Sequence, residues 1–218
     1  MPGARTNQTE VDVRKRTILG LAGLVATLAL LAPDEAAAQR PFRVGVIGGV
    51  NMSNFSGDDA DDTGSKIGFD VGGLVQIPMG EMITIQPEVH YSQRGAEFDA
   101  GDEEVEVSLD YIHVPVLLRA GVPLAEGFDF DFEVGPSFGF LMSCDFDGED
   151  CKDDTRSLDM GIIAGGGFSW AMGAGDLLVD IRYDLGLTNT SDPEDEDAEE
   201  LDLKNTNLQF LIGYAFPM

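Results

Sequence analysis

From Phe128 to Ser143 the sequence alternates without interruption. Phe128, Phe130, Phe132, Val134, Pro136, Phe138, Phe140 and Met142 fall on one side; Asp129, Asp131, Glu133, Gly135, Ser137, Gly139, Leu141 and Ser143 fall on the other. Successive side chains of a strand point to opposite faces, so a period of two predicts a strand with one apolar face and one polar or small face. A helix would scatter both sets around its axis.

The same design recurs along the chain. Leu177, Val179, Ile181 and Tyr183 oppose Leu178, Asp180, Arg182 and Asp184, and Ile83, Ile85, Pro87 and Val89 oppose Thr84, Gln86, Glu88 and His90. Near the C-terminus, Leu208, Phe210, Ile212 and Tyr214 oppose Gln209, Leu211 and Gly213. Eight such segments are expected, at 42–55, 67–76, 82–94, 105–121, 128–143, 158–171, 176–189 and 203–216. In the fourth, the apolar set changes phase near Tyr111, from Val105, Val107 and Leu109 to Ile112, Val114 and Val116, which predicts a bulge there.

The connections alternate in length. Ile77–Glu81, Val122–Gly127 and Met172–Gly175 are short and contain glycine; Ser56–Lys66, Gly95–Glu104, Cys144–Ser157 and Thr190–Asp202 are long and acidic. An up-and-down barrel places alternate connections at the same end, with short turns on one rim, long loops on the other, and both termini on the short-turn side. The expected fold is therefore all-β, an eight-stranded antiparallel up-and-down transmembrane β-barrel. Alternation alone fits a soluble barrel equally well, since such a barrel is apolar inside and polar outside. The content of the two faces separates the alternatives. Glycine crowds the polar face at Gly68, Gly72, Gly135, Gly139, Gly161, Gly165 and Gly167, which suits a narrow lumen filled by side chains. The apolar face carries Phe, Tyr and Trp170, which suits lipid and its interfaces.

The N-terminus fits export. Arg14-Lys15-Arg16 precedes an uncharged run from Thr17 to Ala32, and Ala36-Ala37-Ala38 offers small residues for signal peptidase. The run is shorter than the roughly 20 residues a spanning helix needs. Residues 1–38 are thus expected to be a cleaved signal peptide and residues 39–218 the outer-membrane barrel domain. The net charge of −27 excludes nucleic acid as a partner, because phosphate backbones call for clustered Lys and Arg. Expected partners are outer-membrane lipid and the barrel assembly machinery during insertion; the acidic loops are read first as a hydrated surface, with divalent-cation binding as the alternative. A monomer without a cofactor is expected.

Cys144 and Cys151 share one acidic loop, and an oxidising compartment favours a local disulfide between them. Without nearby histidines the pair does not suggest zinc. Glu88, His90 and Ser92 share one strand face and resemble the Ser, His and carboxylate set of outer-membrane lipid-modifying enzymes. They point inward, however, and residues two apart on a strand lie about 6.5–7 Å apart. A lumenal polar ladder with Arg94, Arg119 or Arg182 accounts for them without chemistry. Asp129, Asp131, Glu133, Asp180 and Asp184 suggest either a lumenal cation site or pairing with Arg119 and Arg182. No residue is assigned a catalytic or metal-binding role on these grounds.

Gln86-Pro-Glu-Val-His-Tyr-Ser-Gln-Arg-Gly95 resembles the third-strand motif of the PorT-like outer-membrane β-barrel family. Tyr111-Ile-His-Val-Pro-Val-Leu-Leu-Arg119 is similar to that family's next strand, and Gly45-Val-Ile-Gly-Gly-Val-Asn-Met-Ser-Asn-Phe55 to its first. The resemblance implies an eight-stranded outer-membrane barrel and little about activity. One departure is that Pro217 and Met218 follow Phe216, where such barrels often end on an aromatic residue. The resulting expectation is a structural or surface-interaction protein. A narrow channel for small solutes or ions is the alternative, and a lipid-modifying enzyme a more distant one.

Overall fold

The computed structural model describes residues 41–57, 60, 63–99, 104–153, 155–191 and 202–218. The expected signal segment and most of Thr190–Asp202 lie outside the described residues. Among the described residues nine strands follow in chain order: β1 (Arg43–Ser56), β2 (Thr63–Pro78), β3 (Ile83–Asp99), β4 (Glu104–Ala125), β5 (Phe128–Phe146), β6 (Glu149–Asp150), β7 (Leu158–Met172), β8 (Gly175–Gly186) and β9 (Lys204–Pro217). Every pairing is antiparallel. β1 pairs with both β2 and β9, and β4 with β5, so eight strands close into a ring. The two-residue β6 lies outside that ring, pairing only with the end of β5. Closure leaves no open edge, which lets strands cross a bilayer with every backbone group satisfied.

The short connections, 79–82, 126–127 and 173–174, lie at one end. Arg43 pairs with Pro217 at that end, which brings the first and last strands together there. Gly127 (φ 70°) and Gly173 (φ 66°) turn the two tightest of these connections through a left-handed backbone that a side chain would strain.

The faces follow the expected parity, turned inside out relative to a soluble barrel. Outward residues are apolar and accessible, as at Ile67 (69 % exposed), Phe132 (57 %) and Ile212 (58 %). Residues of the opposite parity, such as Glu133 (3 %), Arg182 (1 %) and Gln209 (1 %), are buried in the lumen. Aromatic rings gather on the outside near the short turns. Phe128 stacks on Phe168 at 5.4 Å and meets Trp170 edge-on at 6.5 Å, and Tyr214 packs on Phe216 at 4.7 Å. Such a belt belongs at a membrane interface.

Two expectations require correction. First, β4 does not change phase: Val107, Leu109, Tyr111, His113 and Leu117 all face inward in one alternation. The bulge lies on the facing strand instead. Asp110 pairs with Ser143 and Tyr111 with Leu141, which makes Met142 the extra residue. Val107 and Leu109 point inward because the lumen is apolar at the long-loop end, where parity no longer distinguishes inside from outside. Second, Gly95–Glu104 and Cys144–Ser157 are not wholly loop. β3 runs to Asp99, β4 begins at Glu104, and β5 continues to Phe146. Beyond the bilayer, strand pairs continue in water with charged side chains on them, so acidity alone does not mark a loop. Lys66 on β2, for example, pairs with Glu106 on β4 at 2.8 Å.

Candidate functional site

The lumen is the part of this fold where charged groups converge. At the short-turn end it opens into a vestibule of about 670 Å³ lined by Arg43, Asp176, Arg119, Asp129, Asp131 and Ser169 among others. Arg43 pairs there with Asp176 at 3.1 Å.

Deeper in, two guanidiniums organise the interior. Arg119 on β4 reaches Asp131 (3.0 Å) and Glu133 (3.5 Å) on β5 and Asp180 (3.2 Å) on β8, and donates to Gln86 Oε1 at 3.3 Å. Arg182 on β8 donates to Glu88 Oε2 at 2.7 Å, Glu133 Oε1 at 3.2 Å and Asp180 Oδ2 at 3.0 Å. Arginine suits this position because its planar fork matches carboxylates on several strands at once. The inward parity of β3, β4, β5 and β8 delivers all these groups to one level. The arrangement fills the cross-section with paired charge. It answers the question left open over Asp131, Glu133 and Asp180: arginine takes them.

Above this belt, His90 directs Nδ1 to Asp70 and Nε2 to Glu88 Oε2 at 2.6 Å. Ser92 is not its partner. The Ser92 hydroxyl accepts from Asn51 Nδ2 and Arg94 Nε, each at 3.4 Å. The serine and histidine of the candidate triad are therefore engaged separately, with no imidazole positioned on the hydroxyl. Asp184 accepts from Arg94 at 2.9 Å and from Ser137 at 2.8 Å. Asp129 lines the vestibule. Among the described residues, no group of three or more His, Cys, Asp or Glu side chains is placed to hold a metal ion.

At the long-loop end the lumen turns apolar. Phe55, Ala96, Val107, Leu109, Tyr111, Leu141 and Cys144 form one buried cluster, with Ala60, Cys151 and Leu203 packed against it. Cys144 and Cys151 are at disulfide distance, Cα to Cα 5.1 Å, so the hairpin around β6 is tied to this plug. Local pattern did not single out Asp70, Asp159, His113, Tyr111 or the amides Asn51, Asn205, Asn207 and Gln209 as part of the interior network. Their inward parity was the available signal.

A closed ring with charge inside and an uninterrupted apolar belt outside defines a membrane-spanning β-barrel. The chain belongs to the outer membrane protein β-barrel domain family, whose model matches residues 33–192. No curated protein sequence matches it significantly. Among solved structures it is similar to Neisserial surface protein A, with 14 % identity and a TM-score of 0.50 over 81 % of this chain and 97 % of that one. It is also similar to OprG from Pseudomonas aeruginosa, with 11 % identity and a TM-score of 0.51 over 83 % and 98 %. At these identities the likeness concerns the fold. The protein resides in the outer membrane.

Proposed function

We propose that this outer-membrane barrel has a structural or surface-interaction role, with its long acidic loops outside the cell and its termini in the periplasm. The observation that carries the reading is the blocked interior. The Arg119 and Arg182 belt spans the lumen, and the Tyr111–Leu109–Phe55 plug fills it toward the long loops. A barrel filled in this way offers solutes no free route, so its working surface is the rim. The long-loop rim is strongly acidic in sequence, and cations or basic partners from outside the cell are the chemistry it suits.

The same reading takes residues 1–38 as an export signal removed after Ala38, so N-terminal sequencing of the mature protein is expected to begin at Gln39. It takes the PorT-like kinship from the motifs that lie in β1, β3 and β4. Planar-bilayer recording of the purified barrel tests the role: no unitary conductance is expected. Reproducible conductance steps would support the second reading, a narrow channel, which the wide vestibule favours. The lipid-modifying reading loses its support because Ser92 and His90 do not meet.

A further inference from the structure

Between the charged belt and the apolar plug lies a layer whose hydrogen-bonding capacity the protein leaves unused. Asn51, Asn205, Asn207 and Gln209 are each at most 1 % exposed. The amide oxygen of each has no donor, and Asn207 leaves its nitrogen unused as well. At Gln209 and Asn205 a carboxylate fixes the orientation of the amide. Gln209 Nε2 donates to Asp70 Oδ2 at 3.1 Å and Asn205 Nδ2 donates to Asp159 Oδ2 at 2.8 Å, so each oxygen must point away.

The groups are neighbours. Across β1 and β9, Asn51 faces Gln209, Ser53 faces Asn207 and Phe55 faces Asn205. Side chains directly opposite start about 4.5–5.5 Å apart, and diagonal ones about 7–8 Å. Asn207 also faces Asp184 on β8. Asn51 Oδ1 packs over Gly68 on the facing strand, where a Cβ would sit 2.8 Å from it.

Charge points to what is missing. Among the described residues the lumen buries seven carboxylates, Asp70, Glu88, Asp131, Glu133, Asp159, Asp180 and Asp184, against the three guanidiniums of Arg94, Arg119 and Arg182. The other lumenal groups able to carry positive charge are two histidines, His90 with both ring nitrogens on carboxylates and His113 with Nε2 3.1 Å from Asp184 Oδ2. Each of these carboxylates has a donor within the lumen, yet acidic groups there still outnumber the groups able to carry positive charge. Unused amide oxygens beside an excess of carboxylate are hard oxygen ligands lacking a cation. Neutral amide oxygens suit a singly charged ion better than a divalent one, which draws charged carboxylates.

We propose that this layer binds an alkali cation, sodium or potassium, through the amide oxygens of Asn51, Asn207 and Gln209. The ion completes an interior that protein groups alone leave short of positive charge. Crystals of the full barrel grown in rubidium chloride, measured at the rubidium edge, test this directly. The expected result is an anomalous peak in contact with those three oxygens. Water density without an anomalous peak at that place would overturn the proposal. In detergent solution, the melting midpoint should rise with the logarithm of potassium concentration relative to choline chloride at equal ionic strength. Asn207→Leu should abolish that rise, and an unchanged rise in the variant would also reject the site. If the variant does not fold, the anomalous map of the natural protein decides alone.

Discussion

Arg182 on β8 and Glu88 on β3 meet inside the barrel as a bidentate pair, Nη1 to Oε2 at 2.7 Å and Nη2 to Oε1 at 3.0 Å. They are 94 residues apart in the chain, and β2, β1 and β9 separate their strands around the ring. This contact therefore spans the lumen rather than joining neighbouring strands. Removing one member of such a buried pair typically costs about 3–5 kcal/mol. Arg182→Met should show the full loss, because it leaves Glu88, Glu133 and Asp180 with less positive charge. Glu88→Gln should cost clearly less, since the amide still accepts from Arg182 and the acidic lumen loses one charge. Urea unfolding followed by Trp170 fluorescence measures both, and equal losses would contradict the excess of lumenal carboxylate.

The outward face is fixed by its contact with lipid. Phe132 packs edge-on against Phe130 at 4.8 Å and points out of the ring. Phe132→Arg should reduce the folded, membrane-inserted fraction, because a cation near the bilayer midplane costs about 2–4 kcal/mol. Phe132→Leu should leave that fraction almost unchanged. Folded and unfolded forms separated by unheated gel electrophoresis give the comparison, and a well-inserted Phe132→Arg barrel would refute the face assignment.

How far the sequence reveals the structure depends on how local the signal is. Parity along β5 told Phe132 from Glu133 because adjacent residues differ sharply in polarity. It failed at Val107 and Leu109, where an apolar side chain is acceptable both to lipid and to the plug. Arg94, Arg119 and Arg182 were equal candidates to pair with Glu88; the choice among them depends on ring closure, which no window of sequence contains. The interior amides Asn51 and Gln209 are small polar residues of a kind that also fits any hydrated surface. Only the register between β1 and β9 brings them together.

Cys144 and Cys151 should be bonded in the exported protein, so thiol labelling after denaturation without reductant should find no free cysteine. Replacing both with serine should cost about 2–3 kcal/mol on the loop-entropy scale. The barrel should still form, because Cys144 lies near the end of β5 and the β4–β5 ladder extends far below it toward the short turns. Two labelled thiols in the natural protein would refute the bond.

Orientation separates the surface reading from its inverse. An epitope tag placed at 192–200 should bind antibody on intact cells, while one at 173–174 should need permeabilised cells. The reverse pattern would turn the barrel over and place the acidic rim in the periplasm.

The reach of Arg182 also constrains how the barrel comes into being. Its partners Glu88 and Glu133 sit on β3 and β5, and the ring that holds all three closes only when β9 pairs with β1. An incompletely zipped sheet would hold Arg182 near the bilayer without Glu88 across from it. Partly closed forms are then high in energy, and the last strand pairing and the charge belt should form together in one cooperative step. A tag or substitution that delays β9 would act on the kinetics of closure, trapping chains before insertion while leaving the finished barrel as stable as before.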